Sequence, residues 1–123
     1  MKKEKILLVD DEQDILETVS DIVEDKFSCE TDTANNGLDA FIKTQNEKYD
    51  LIITDHNMPF MKGSAFIIGV RTKENENKST PIILLSAFID EKMKKTLQIQ
   101  NVDFLEKPFS PVDLIQMVRD YLI

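Results

Sequence analysis

The run Leu51-Ile52-Ile53-Thr54-Asp55 is the feature on which a fold prediction for this chain depends. Three apolar residues and a threonine lead into a carboxylate with no turn residue between them. Such a run is typical of a strand buried on both faces of a parallel sheet. The acid at its end is held rigidly at the sheet edge, where it can be a nucleophile or metal ligand if other groups converge on it. Alternatively, it only caps the following loop.

Three further predicted strands also end on polar residues. Asp10 and Asp11 follow residues 5–9, Ser86 follows residues 81–85, and Lys107 closes residues 102–107. Because the carboxyl ends of parallel strands meet at one edge of a sheet, we expect these side chains to lie near Asp55.

Segments with helical spacing alternate with these strands. Residues 28–34 alternate in polarity and predict an exposed edge strand. Helices are expected over residues 11–25, 38–47 and 90–99, around Phe66, Ile67 and Val70, and from Ser110 onward. This alternation predicts an α/β fold, namely one doubly wound, five-stranded parallel sheet in the flavodoxin-like order 2-1-3-4-5 with five helices on its two faces.

Three local expectations accompany this fold. Leu38, Phe41 and Ile42 lie on one face of the second predicted helix. The polar residues 72–80 predict a solvated connection. Phe60 and Met61, in the loop after Asp55, lie beside the predicted site, and the equally plain alternative is that they only pack over the third helix.

Composition limits the classes of function. The chain has 123 residues, 41% of them hydrophobic, which suits a single domain over residues 1–123. Its net charge of -8 disfavours binding to nucleic acid or anionic membranes. The single cysteine, Cys29, is expected to be a buried hydrophobic side chain. The lysines near the N-terminus precede too few apolar residues for a signal peptide or membrane span, so a cytoplasmic location is expected.

The predicted sheet edge has the groups that phosphoryl transfer requires. Asp10, Asp11 and Asp55 would repel one another unless a cation neutralised them, and an all-oxygen ligand set favours Mg²⁺. Asp11 could instead only cap the first helix. Lys107 offers a positive charge and Ser86 a hydroxyl donor, although each is also a common surface or loop residue. A nucleophilic carboxylate, a metal, a cation and a donor together suit phosphoryl transfer.

The chain resembles the receiver domain of two-component response regulators, the family of the single-domain chemotaxis receivers, over its whole length. The matching segments are residues 6–12, Asp55 to Pro59 with Gly63, Ser86-Ala87 and residues 104–109. The resemblance implies phosphorylation of Asp55 by a sensor histidine kinase, a phosphotransfer protein or a small phosphodonor. It implies Mg²⁺ bound by Asp10, Asp11, Asp55 and the main-chain carbonyl of Asn57.

The resemblance also implies a mechanism of signalling. Ser86 and Lys107 would hold the phosphoryl group, and Ser86 and Phe104 would switch the surface of helix 4, strand 5 and helix 5 for a downstream effector. A cis bond is implied at Lys107-Pro108. Such a domain is a regulatory phosphoacceptor rather than an enzyme, although it catalyses its own phosphorylation and dephosphorylation.

Some residues depart from the family pattern or permit another interpretation. Lys62 replaces the usual acid before Gly63, and Gln100 replaces a usual glycine, so Asn101 is expected to adopt the left-handed turn. His56 is interpreted as structural, and Phe104 could be core packing instead of a switch.

Two other classes of function fit the sequence less well than a phosphoacceptor. An aspartyl-intermediate hydrolase would need a second acid where Asn57 stands, and a flavin binder would need a phosphate-binding loop in place of Asp10-Asp11-Glu12.

Overall fold

Strands and helices alternate along the computed structural model, which describes residues 3–122. The strands are β1 (Glu4–Val9), β2 (Cys29–Ala34), β3 (Leu51–Asp55), β4 (Ile82–Ser86) and β5 (Val102–Glu106). The helices are α1 (Gln13–Lys26), α2 (Gly37–Asn46), α3 (Gly63–Thr72), α4 (Glu91–Ile99) and α5 (Pro111–Leu122). The predicted elements are therefore confirmed, with boundaries shifted by one or two residues where they differ.

All strand pairs are parallel, and the sheet order is β2-β1-β3-β4-β5. This confirms the predicted doubly wound sheet and places β2 at an edge. Reversal of the winding direction between β1 and β3 opens a crevice beyond their carboxyl ends, where Asp10 and Asp55 lie.

Two hydrophobic clusters cover the two faces of the sheet. Residues of α2, α3 and α4 pack on one face, and residues of α1 and α5 pack on the other. Because β3 and β4 are buried along their whole length, their runs are continuously apolar. Cys29 is buried in β2, as predicted. No helix within residues 3–122 has the length and hydropathy needed to cross a bilayer.

Local signals in the sequence fix several helix ends. The side chains of Asn36 and Asp90 accept hydrogen bonds from the main-chain N–H groups of Asp39 and Met93, which caps α2 and α4. Ser110 does the same for Asp113 at the start of α5. The cis bond at Lys107-Pro108 and the left-handed conformation of Asn101, with φ 58°, are also confirmed.

Of the three apolar residues that share a face of α2, only Phe41 packs against the core. Ala40 and Thr44 are buried there, whereas Leu38 and Ile42 are about half exposed, at 45% and 50%. Phe41 is partly buried against the core, and its ring contacts the position of Gly69 on α3. The helix is therefore rotated so that small residues allow its backbone to approach the sheet.

The expectation that residues 72–80 form a solvated connection is confirmed for most of the segment, but two of its residues depart from it. Asn77 and Thr80 are fully buried, and Thr80 Oγ1 donates to the main-chain oxygen of Tyr49 at 3.1 Å. These two residues make hydrogen bonds with the backbone that leads into β3, so they are part of the interior.

Candidate functional site

The carboxyl ends of β1 and β3 bring three predicted acids together. Asp55 is the last residue of β3 and is 7% exposed, and Asp10, directly after β1, is 3% exposed. Carboxylate oxygens of Asp10, Asp11 and Asp55 all lie within 4.8 Å of one another. Because β1 and β3 are neighbours in the sheet, residues far apart in the sequence meet here.

Lys107 reaches the same place from the other side of β4. Its Nζ donates to Asp55 Oδ1 at 3.0 Å and lies 3.5 Å from Asp10 Oδ2. Its main-chain N–H donates to the carbonyl of Ser86 at 2.8 Å, which fixes the start of its side chain. Burial disfavours the ammonium, but the hydrogen bond and charge of Asp55, with help from Asp10, raise the pKa of Lys107.

Asp10 is held by the backbone of the turn into α1. Its Oδ1 accepts from the main-chain N–H of Glu12 at 3.0 Å. Burial raises the pKa of Asp10, and the charge of Asp55 adds to that rise, while the Glu12 N–H and Lys107 oppose it. The residue that caps α1 is Glu12, with no side-chain hydrogen bond. The alternative in which Asp11 caps this helix is therefore wrong, and the Asp11 side chain is exposed.

The donor set fits a hard divalent cation. Three carboxylates face one ammonium, and the ligands available are all oxygens, which suits Mg²⁺ better than a softer metal. The fourth predicted ligand, Asn57, follows in the exposed part of the loop. Its side-chain Oδ1 accepts from Lys62 Nζ at 3.3 Å.

Ser86 lies at the end of β4, beside Asp55 in the sheet. It is buried, and its Oγ donates to the carbonyl of Phe88 at 2.8 Å and lies 3.3 Å from the Phe88 nitrogen. In β5, Phe104 is half-buried and packs against the cluster on the α4 face. The positions of the Ser86 and Phe104 side chains are compatible with a switch, and Phe104 also contributes to the core. The switch role stays a prediction.

Gly63 shapes the loop between β3 and α3 in a way that sequence reasoning missed. A Cβ at this position would lie 2.3 Å from the main-chain oxygen of Asp55 and 2.9 Å from the Cα of His56. The N–H of Gly63 also donates to the carbonyl of His56 at 2.9 Å. Only glycine therefore allows α3 to begin directly against the end of β3. The glycine itself was the signal, since a close approach of two backbones requires one.

Within residues 3–122, His56 does not belong to the cluster formed by Asp10, Asp11 and Asp55. It is half-buried between α3 and α4, and its Nδ1 accepts from the main-chain N–H of Ser64 at 3.4 Å. Burial lowers the pKa of His56, with a smaller contribution from the charge of Lys62. These contacts suit the structural role predicted for it.

Comparison with known proteins agrees with this architecture. The family model described as the response regulator receiver domain matches residues 6–119. Chemotaxis response regulator CheY4 of Vibrio cholerae has a TM-score of 0.87 and 34% identity, over 98% of this chain and 100% of that one. Transcriptional regulatory protein SrrA of Staphylococcus aureus is 34% identical over 123 residues, or 96% of this chain. The chain belongs to the response regulator receiver domain family, and its function is phosphorelay signal transduction.

The curated relatives are longer than this chain. It spans 47% of the length of SrrA. It also matches hybrid signal transduction histidine kinase G of Dictyostelium discoideum, with 38% identity over 94 residues, which are 76% of this chain and 3% of the kinase. Receivers similar to this one therefore occur in proteins with different outputs.

Proposed function

We propose that Asp55 is the residue that accepts the phosphoryl group. The observation that carries this proposal is the buried Asp55 carboxylate at a strand end, with Lys107 Nζ at 3.0 Å and two further carboxylates within 4.8 Å. A carboxylate held rigidly among groups that can neutralise charge is suited to attack phosphorus.

The transfer forms one bond and breaks one. An Asp55 oxygen bonds to phosphorus, while the bond from phosphorus to the donor breaks, releasing acetate from acetyl phosphate or a histidine imidazole from a phosphorylated kinase or phosphotransfer protein. Lys107 pairs with Asp55 before the reaction and is placed to pair with a phosphoryl oxygen afterwards. Ser86 supplies a hydroxyl at the neighbouring strand end. Attack of water on the acyl phosphate would reverse the modification.

Asp10, Asp11, Asp55 and the main-chain carbonyl of Asn57 are the groups that would hold Mg²⁺. When bound, the ion would neutralise charge on the carboxylates and on the phosphoryl oxygens. Without a cation, the buried Asp10 and Asp55 rely on a single ammonium, which is the physical reason for expecting phosphorylation to depend on the metal.

Signal output is proposed to pass from Ser86 to the surface of α4, β5 and α5. The hydroxyl of Ser86 must leave the carbonyl of Phe88 to contact a phosphoryl oxygen, which would free the loop that leads into α4. Phe104 packs beside α4 and would rotate as that loop moves. The partners proposed for these steps are a histidine kinase or phosphotransfer protein as donor and an effector domain or protein as target.

Intact-protein mass spectrometry after incubation with acetyl phosphate tests the assignment of Asp55. The wild-type chain should gain one phosphoryl group in the presence of Mg²⁺ and lose that gain in excess chelator. Asp55→Asn should abolish labelling, whereas Asp14→Asn, an exposed acid in α1, should label normally. Normal labelling of the Asp55 variant would reject the assignment.

A further inference from the structure

The loop after Asp55 contains an exposed aromatic residue in a strained conformation. Phe60 has φ 70°, in the left-handed region that bulky side chains rarely adopt. The N–H of Met61 donates to the carbonyl of Pro59 at 2.8 Å, which makes Phe60 the central residue of a three-residue turn. A turn of this kind with positive φ is rare and strained. The ring is 84% exposed, so contacts of the side chain within the domain do not offset the strain.

The residues on either side of Phe60 hold the loop in this shape. Met58 is buried in the hydrophobic core, and Met61 packs against the same cluster. The main-chain oxygen of Met61 lies 2.2 Å from where a Cβ on Gly37 would be, so the start of α2 rests against the loop. With Met58 and Met61 packed inward, the Phe60 side chain is directed outward. The alternative in which Phe60 packs over α3 is therefore wrong, whereas Met61 does pack against the core.

The position of Phe60 suggests what it contacts. Its loop continues from the strand that ends on Asp55, and the loop after the neighbouring strand β4 carries Phe88, 72% exposed. Two exposed rings thus stand on adjacent loops at the edge that contains Asp55. A small phosphodonor can reach the carboxylate without touching them. A protein donor must bring its histidine to Asp55 and therefore close its surface over these loops.

We propose that Phe60 is a docking residue for the protein phosphodonor, whose apolar side chains around the phosphohistidine would cover the ring. The proposal rests on the assignment of Asp55 as the phosphoacceptor. Strain retained at a largely exposed position indicates a role outside the isolated domain, because asparagine or glycine would fit this turn better. An aromatic side chain supplies a large contact area at little cost in conformational entropy.

Phosphotransfer with two classes of donor tests the proposal. The protein donor is an autophosphorylated histidine-kinase core, chosen from a panel as the one that transfers fastest to the wild-type chain. The small donor is acetyl phosphate with Mg²⁺. Phe60→Asn removes the ring and suits the left-handed turn. We expect transfer from the kinase core to be about tenfold slower at low concentrations of the receiver. The concentration needed for half-maximal rate should rise, whereas the maximal rate should not change. Labelling by acetyl phosphate should stay within about twofold, and the thermal midpoint should be unchanged or raised.

Two control variants separate docking from general effects of the substitution. Phe60→Tyr keeps the ring and should restore most of the rate with the kinase core. Ile99→Asn removes an equally exposed apolar residue at the far end of α4, 82% exposed, and should transfer at the wild-type rate.

Several results would overturn the proposal. These are an unchanged rate with the kinase core in Phe60→Asn, an equal loss with acetyl phosphate, or labelling of the wild type by acetyl phosphate but by none of the kinase cores. Failure of the wild type to label Asp55 with either donor would instead reject the proposed function itself.

Discussion

Polar side chains are buried at both the carboxyl edge and the amino edge of the sheet, but their charges and hydrogen bonds are compensated in different ways. At the carboxyl edge, Asp10 and Asp55 are buried as like charges and share one cation, Lys107. At the amino edge, where β3 and β4 begin, Asn77 and Thr80 are buried without charge. In the part of the chain that the structure describes, no buried side-chain nitrogen or oxygen lacks a hydrogen-bond partner. The edges therefore differ in charge, not in whether hydrogen bonds are made.

Asn77 is the centre of the neutral network. Its Oδ1 accepts from the main-chain N–H of Tyr49 at 2.7 Å and lies 3.1 Å from Thr80 Oγ1. Its Nδ2 donates to the carbonyls of Thr44 and Glu47 at 2.7 and 2.6 Å. One side chain thus ties the segment before β4 to the end of α2 and the start of β3. Such a fully satisfied network stabilises the fold and offers no group to a ligand.

The difference indicates that the amino edge stabilises the domain, whereas the carboxyl edge lowers its stability. Neutral groups whose hydrogen bonds are all made within the protein are retained for structure, whereas buried like charges destabilise the domain unless they bind something. We therefore expect substitutions at the two edges to change the free energy of unfolding in opposite directions.

The largest effect is expected from Asn77→Ala. The substitution removes the hydrogen-bond partner of the Tyr49 N–H and of the Thr44 and Glu47 carbonyls, and each buried group left unpaired costs about 1–3 kcal/mol. We expect the free energy of unfolding to fall by about 3 kcal/mol, measured by urea denaturation. The rate of labelling by acetyl phosphate, per folded molecule, should not change.

Asn46→Ala is the matched control, because Asn46 is exposed on α2 and bonds only to the carbonyl of Ile42. Its free energy of unfolding should change by no more than about 0.5 kcal/mol. Equal effects of the two substitutions would show that the amino edge is not the structural network described above.

A smaller effect of opposite sign is expected from Asp10→Asn. The amide keeps the acceptor for the Glu12 N–H but removes a buried charge that faces Asp55. In metal-free buffer the free energy of unfolding should rise by about 0.5–2 kcal/mol, as is common when a functional group is replaced. Added MgCl₂ should raise the thermal midpoint of the wild type and have little effect on the variant.

The pH dependence of this difference has a defined sign. Because burial raises the pKa of Asp10, the folded state holds the proton more tightly than the unfolded state, and protonation stabilises the metal-free fold. The advantage of Asp10→Asn should therefore shrink as the pH falls through the folded-state pKa toward the unfolded value. Asp14→Asn, at an exposed acid, should change neither stability nor the response to MgCl₂. A destabilised Asp10 variant would contradict the comparison of the two edges.

The carboxyl edge was predictable from the sequence, because apolar runs that end on Asp10, Asp55, Ser86 and Lys107 carry a local signal. Strand type follows from the continuous apolar pattern, and in a parallel sheet every such end meets at one edge. Convergence of these residues therefore needed no information on side-chain geometry.

The amino edge was not predictable by the same reasoning. Asn77 lies in a polar, charged segment that has the composition of a solvated loop, and its burial depends on backbone groups about 30 residues away in the sequence. The buried face of α2 was not predictable for a similar reason. The small residues Gly37 and Ala40 are buried at close range, whereas the larger Leu38 and Ile42 remain about half exposed. The outward ring of Phe60 depends on how its anchored neighbours bend the backbone, which a residue pattern does not encode.

The smallest effect is expected at Phe88, which tests how open the carboxyl edge is to water. The main-chain oxygen and nitrogen of Phe88 lie 2.8 and 3.3 Å from Ser86 Oγ. These contacts place the exposed Phe88 in the loop directly after Ser86, at the same sheet edge as Asp55. If the ring lies on the path of the hydrolytic water, Phe88→Ala should shorten the half-life of the acyl phosphate several-fold. That change corresponds to a barrier lower by on the order of 1 kcal/mol.

Phosphate release after removal of acetyl phosphate, at fixed Mg²⁺, measures this half-life. Ile99→Ala removes an exposed apolar residue at the other end of α4 and should leave the rate unchanged. Asn57 is polar and can help to orient the attacking water, so Asn57→Ala should lengthen the half-life if both residues act on it. A rate in Phe88→Ala that is unchanged or slower would mean that the ring does not shield the acyl phosphate. The exposure of Phe88 would then be explained by contact with a protein partner, as proposed for Phe60, and the two rings would form one docking surface.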